Sequence, residues 1–103
     1  MTDRELLELA AKAAGIDWFD EPAAKSGRGL HLKSGPFWNP LTDDGDAMRL
    51  AVKLNLLNAT RFADSITVRD IYGRQYEEVS HDLYAATRRA IVRAAAEIGR
   101  GME

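Results

Sequence analysis

The sequence predicts a small α+β domain, a mostly antiparallel sheet with amphipathic helices packed over its faces. Three observations point there. Residues 2–14, 43–55 and 80–101 carry apolar side chains at helical spacing. Residues 65–79 alternate apolar and polar on either side of Tyr72-Gly73, as a hairpin does. The length of 103 residues suits a single domain, 1–103, with one modest core.

The last helix organises the rest. At 3.6-residue spacing Tyr84, Thr87, Ile91, Ala94, Ala95 and Ile98 fall on one face, predicted to be buried. Arg88, Arg89, Arg93, Glu97 and Arg100 fall opposite, with Glu97 placed i+4 from Arg93 as an intrahelical pair. The alanines leave room for a close, flat contact. Ser80-His81-Asp82 supplies the cap.

The chain opens on a second such helix. Thr2-Asp3-Arg4-Glu5 is a capping box, and its two acids suit the positive end of the helix dipole. Leu6, Leu9, Ala10 and Ala13 form the expected stripe, with Leu7 on its flank. Gly15 ends the helix in the left-handed conformation. A connection follows with the aromatic pair Trp18-Phe19 among Asp17, Asp20 and Glu21. Pro22 bars a helix, and residues 23–29 are small and polar. Leu30-His31-Leu32 alternates, which predicts a short strand at about 29–33, broken by Ser34-Gly35-Pro36.

Phe37-Trp38 forms a second aromatic cluster, stiffened by Pro36 and Pro40. Thr42 or Asp43 caps the middle helix, whose inner face is Ala47, Leu50, Ala51 and Leu54; Arg49 and Lys53 lie outside. Residues 56–62 suit either a helix end or a short strand. In residues 65–71, Ile66 and Val68 face one way and Thr67 and Arg69 the other; residues 74–79 return antiparallel.

Bulk properties narrow the function. A net charge of −2 gives no global basic field for nucleic acid. With no cysteine, disulfides and thiolate metal sites are excluded, which fits a reducing cytoplasm. No apolar run reaches the ~20 residues of a membrane span. The N-terminus, amphipathic with early acids, does not read as a signal peptide.

No constellation points to catalysis. Asp43, Asp44 and Asp46 sit at a helix start, where capping and the dipole account for them; calcium-loop spacing and its distal glutamate are missing. His31 and His81 lie far apart without sequence partners, which suits surface or capping roles. Ser26, Ser34, Ser65 and Ser80 lack a nucleophile-elbow context. Gly27-Arg28-Gly29 lacks the lysine and following helix of a phosphate loop. No catalytic, cofactor or metal site is expected. Two features remain open. Trp18, Phe19, Phe37 and Trp38 either plug the end of the core or form a protein-binding patch. Arg88, Arg89, Arg93 and Arg100 form either a solvated face or an edge for nucleic-acid phosphates.

Two strings, FWNPLTDDGDAMRLAVKL (residues 37–54) and ATRRAIVRAAAEIG (residues 86–99), resemble the phage ABA sandwich domain family, small proteins encoded by phages and prophages. The capped first helix fits as well; residues 57–79 match poorly. The resemblance implies α/β/α layers and no enzymatic activity, cofactor or catalytic residue. The expectation is a non-enzymatic accessory protein in the bacterial cytoplasm that binds a host or phage protein, with modulation or inhibition of a host factor, such as a defence component, as one form this could take. A nucleic-acid-associated protein using the arginine edge is the alternative, and a nucleotide or small-ligand binder using residues 27–33 a further one. Self-association is compatible with either.

Overall fold

The computed structural model describes residues 1–20 and 28–102. The helix stop at Pro22, the stretch 23–27 with Ser26, and Gly27 of the glycine loop lie outside the described residues. The elements are α1 (Asp3–Ala14), β1 (Leu30–His31), β2 (Phe37–Trp38), α2 (Asp44–Lys53), β3 (Asn58–Arg61), β4 (Ser65–Arg69), β5 (Gln75–Val79) and α3 (Leu83–Gly101). They make an α+β fold with two antiparallel sheets, β1-β2 and β3-β4-β5.

The helix ends follow local chemistry. Thr2 Oγ1 accepts from Glu5 N–H at 3.1 Å, and the Glu5 carboxylate accepts from Thr2 N–H at 3.2 Å. These bonds to Thr2 hold the Glu5 carboxyl below its ordinary pKa. Gly15, at φ 70°, closes α1 while Ile16 N–H reaches back to Ala11 O. This six-to-one bond satisfies a carbonyl that the helix end would orphan. Asn55, at φ 58°, repeats the device after α2, with Leu56 N–H on Ala51 O. That turn resolves the ambiguous stretch: the helix stops, and β3 begins three residues later.

Helix α3 is the element the others share, packed on α1 and also on β4, β5 and α2. The three-stranded sheet covers α3 with the face bearing Ile66, Val68 and Tyr76, while Asn58, Thr60, Arg69, Gln75, Glu77 and Val79 on the opposite face are exposed. A helix enclosed from two sides cannot carry one buried stripe. Ala86, Ala90, Val92, Ala96 and Gly99 are buried along with Ile91, Ala94 and Ala95. Tyr84, expected in the core, is 75% exposed, because its side chain stands at the border of open concavities rather than beneath the sheet.

Small residues permit this enclosure. A Cβ on Gly99 would lie 1.9 Å from Leu9 O, so α1 and α3 touch backbone to backbone. Ala10, Ala11 and Ala14 face the same seam with little or no exposure. The buried stripe of α1 is accordingly Leu6, Leu7, Ala10, Ala11 and Ala14, rotated from the expected one, with Leu9 only partly buried. α2 buries Ala47, Leu50 and Ala51 as expected, with Leu54 packed at the margin.

The β4–β5 hairpin turns through Ile71, Tyr72 and Gly73, where Gly73 takes φ 83°. Asp70, 4% exposed, holds the turn. Its carboxylate accepts from Tyr72 N–H (2.9 Å), Arg74 N–H (3.0 Å), Arg74 Nε (3.0 Å) and the Tyr76 hydroxyl (3.1 Å). Burial by itself would raise the Asp70 pKa, but these donors outweigh it and hold the carboxyl below its ordinary value. Burial and the same hydrogen bond raise the Tyr76 phenol.

Candidate functional site

The four candidate aromatics do not share a surface. Phe37-Trp38, expected in a loop, is strand β2, paired as Leu30↔Trp38 and His31↔Phe37. Residues 17–19 run alongside β1: Trp18 opposes Leu32, Phe19 N–H donates to His31 O, and Lys33 N–H donates to Asp17 O. Strand alternation sends neighbours to opposite faces. Trp38 (5% exposed) therefore joins Leu30 in the core, with Trp18 packed against it; Phe19 (40%) and Phe37 (38%) face outward. For Trp38 the binding-patch expectation is corrected: it is a core residue.

On the outward face His31 stands between the two phenylalanines. Its ring stacks on Phe37 at 4.9 Å and tilts against Phe19 at 5.0 Å. The Arg28 guanidinium lies 5.4 Å from the Phe37 ring centroid. His31 thus has a packing role that its sequence surroundings did not indicate. Gly29 explains part of the glycine loop: at φ 89°, a Cβ there would meet Trp38 O at 2.2 Å. Close approach of β2 demands this glycine, with no phosphate needed to account for it.

The arginine edge is tied to carboxylates and carbonyls. Arg88 donates to Leu41 O (2.9 Å) and Asp44 (2.6 Å). Arg89 reaches Asp3 at 3.1 Å and Glu78 at 3.8 Å. Arg93 bonds Glu78 and Glu77 O, and Arg100 pairs with Glu97 at 3.4 Å. The expected Arg93–Glu97 pair is replaced by Arg93–Glu78, since β5 brings a carboxylate to the flank of α3. Each cation has a local counter-charge, which weakens the case for a phosphate-binding edge.

The acids before α2 are likewise engaged. Asp43 caps the helix by accepting from Asp46 N–H (2.8 Å), and Asp46 accepts from Asn39 N–H (3.0 Å) and Arg49 (2.7 Å). These bonds fasten the loop after Trp38 to α2. Among the described residues no group of His, Cys, Asp and Glu is arranged to hold a metal ion, and no helix is long and apolar enough to cross a membrane.

One surface escaped the sequence reading. A groove of about 460 Å³ lies between α2, α3 and β3, lined by Ala47, Met48, Ala51, Leu57, Val68 and Ile91 among others. Met48, Leu57 and Tyr84 border it, each more than half exposed, and Phe62 is exposed at the far end of β3. The available signals were Met48 lying off the inner stripe of α2 and the Leu56-Leu57 pair after its end. Leu56 is buried and Leu57 is not. Compared with known protein families, curated proteins and solved structures, the chain shows no match.

Proposed function

We propose that this chain is a non-enzymatic phage or prophage accessory protein that works by binding another protein, of host or phage origin, in the bacterial cytoplasm. The observation that carries protein binding is the apolar groove with Met48, Leu57 and Tyr84 exposed around it. Large apolar side chains gathered about one concavity cost solvation in the free protein and favour a partner that covers them. The phage setting rests on the resemblance of residues 37–54 and 86–99. Modulation of a host factor is one form such binding takes.

The test is capture from bacterial lysate on the immobilised chain, with and without nuclease, at low and moderate salt. The expected result is one protein retained in every condition by the wild type and lost with Leu57→Asp, a change at an exposed site that leaves the fold intact. Capture that disappears with nuclease or salt would refute protein binding and favour nucleic acid.

A further inference from the structure

Resting on the protein-binding reading, we infer that the partner docks as an extended, acidic, apolar segment that adds a strand to the free edge of β3 and sets alternate side chains into the groove beside it.

The two edges of the three-stranded sheet are treated differently. At β5 the outward carbonyl of Glu77 accepts from Arg93, which blunts that edge. At β3 the pattern of pairing leaves groups exposed. Phe62 N–H donates to Ser65 O, and the register runs Thr60↔Thr67 and Asn58↔Arg69. In an antiparallel ladder the bonded pairs alternate, so Ala59 and Arg61 turn their N–H and C=O away from β4. Among the described residues these groups have no hydrogen-bond partner. An edge with free backbone groups is a template for another strand, and native chains usually protect it.

The side chains favour a particular occupant. Buried Val68 and exposed Ala59 line the groove side by side, and Met48, Leu57 and Tyr84 stand on its rim. A strand laid along β3 would direct every second side chain toward that concavity, while its main chain bonds Ala59 and Arg61. Arg61, on the edge strand and on the same face as Ala59 and Val68, is exposed and forms no ion pair among the described residues. The carboxylates near the groove are already engaged or lie beyond the strand: Asp44 pairs with Arg88, Asp82 caps α3, and Asp64 sits in the β3–β4 turn. The uncompensated charge on the edge is positive, which selects a partner bearing carboxylates. It also disfavours a second copy. Antiparallel self-pairing through Ala59 and Arg61 would bring Arg61 opposite the other copy's Leu57, Ala59 or Arg61, none of which is an acid.

The probes are fluorescein-labelled synthetic peptides of about eight residues, alternating valine or leucine with glutamate, serine or lysine, titrated by fluorescence anisotropy. The glutamate series should bind and the lysine series should not. Ala59→Pro removes one outward N–H and leaves the bonds to β4, so it should weaken the glutamate series roughly tenfold or more with an unchanged melting temperature. Should that variant unfold, glutamate peptides N-methylated on alternate amides decide on the wild-type chain: one parity should abolish binding and the other retain it. Absence of binding at about 1 mM, preference for lysine, or indifference to N-methyl parity would overturn strand addition. A lysate partner lost with Leu57→Asp but kept by folded Ala59→Pro would also overturn it while leaving protein binding intact. A concentration-dependent dimer in sedimentation, abolished by Ala59→Pro, would assign the edge to a second copy instead.

Discussion

Gly99→Ala adds one methyl group at the tightest point in the molecule. The new Cβ would sit 1.9 Å from Leu9 O and 2.8 Å from Leu9 C. Both are backbone atoms of α1, so no side chain can rotate away; the two helices must separate. That separation would loosen the seam lined by Ala10, Ala11 and Ala14, all nearly or fully buried. Overpacking of this kind costs about 1–3 kcal/mol and occasionally more. Alanine recovers up to about 1 kcal/mol through its better helix propensity. The clash with main chain places this site at the severe end, so a net loss of about 1–3 kcal/mol is expected. For a domain of this size each kcal/mol lowers the melting temperature by roughly 4–8 °C. The assay is thermal unfolding followed by circular dichroism, with Gly101→Ala as the control. A Cβ on Gly101 meets nothing within 4 Å, so that variant should melt at or slightly above the wild-type temperature. A Gly99→Ala protein as stable as the control would show that α1 and α3 do not meet backbone to backbone.

Trp38→Ala should cost about 3–5 kcal/mol, because its ring lies in the core, whereas Phe37→Ala at the adjacent exposed position should cost about 1 kcal/mol or less; urea melts of the two variants give the comparison, and equal losses would contradict the strand alternation. The lowered Asp70 pKa predicts an acid limb: its stabilisation is complete above the unfolded value of about 4 and is lost as pH falls through the folded value. Asp70→Asn should therefore be less stable at neutral pH and flatten the acid limb in denaturant titrations across that range; an unchanged limb would remove Asp70 from the account. Tyr76 acts with the opposite sign, its raised pKa giving stabilisation that is present below about pH 10 and lost above it.

Local chemistry alone determined much of the fold. The Thr2–Glu5 capping box, the left-handed Gly15, the Asp43 and Asp82 caps and the Tyr72-Gly73 turn each involve residues within a few positions of one another. Donor and acceptor of each bond are set by local spacing, so spacing sufficed to place three helices and a hairpin. The pairing of Ile66 and Val68 on one strand face follows from the same short-range geometry.

Tertiary structure decided which faces are buried and which surface is available. Periodicity can mark one apolar stripe, but it cannot announce that a helix is covered from two sides when the second cover is met by alanine and glycine. Such residues carry too little hydrophobic signal to define a face, and their importance lies in the close approach they permit: Gly99 against Leu9, Gly29 against Trp38. The same limit hid the candidate site. Which member of each aromatic pair faces inward depended on β2 pairing with β1 across an intervening turn. The arginines of α3 were neutralised by Asp3, Asp44 and Glu78, distant in sequence from them or contributed by other elements. The free edge of β3 existed only once β4 had taken its other side. Long-range packing, in which the partner of each group is chosen by the whole chain, turned a legible set of elements into a surface that sets an apolar groove beside the open edge of β3.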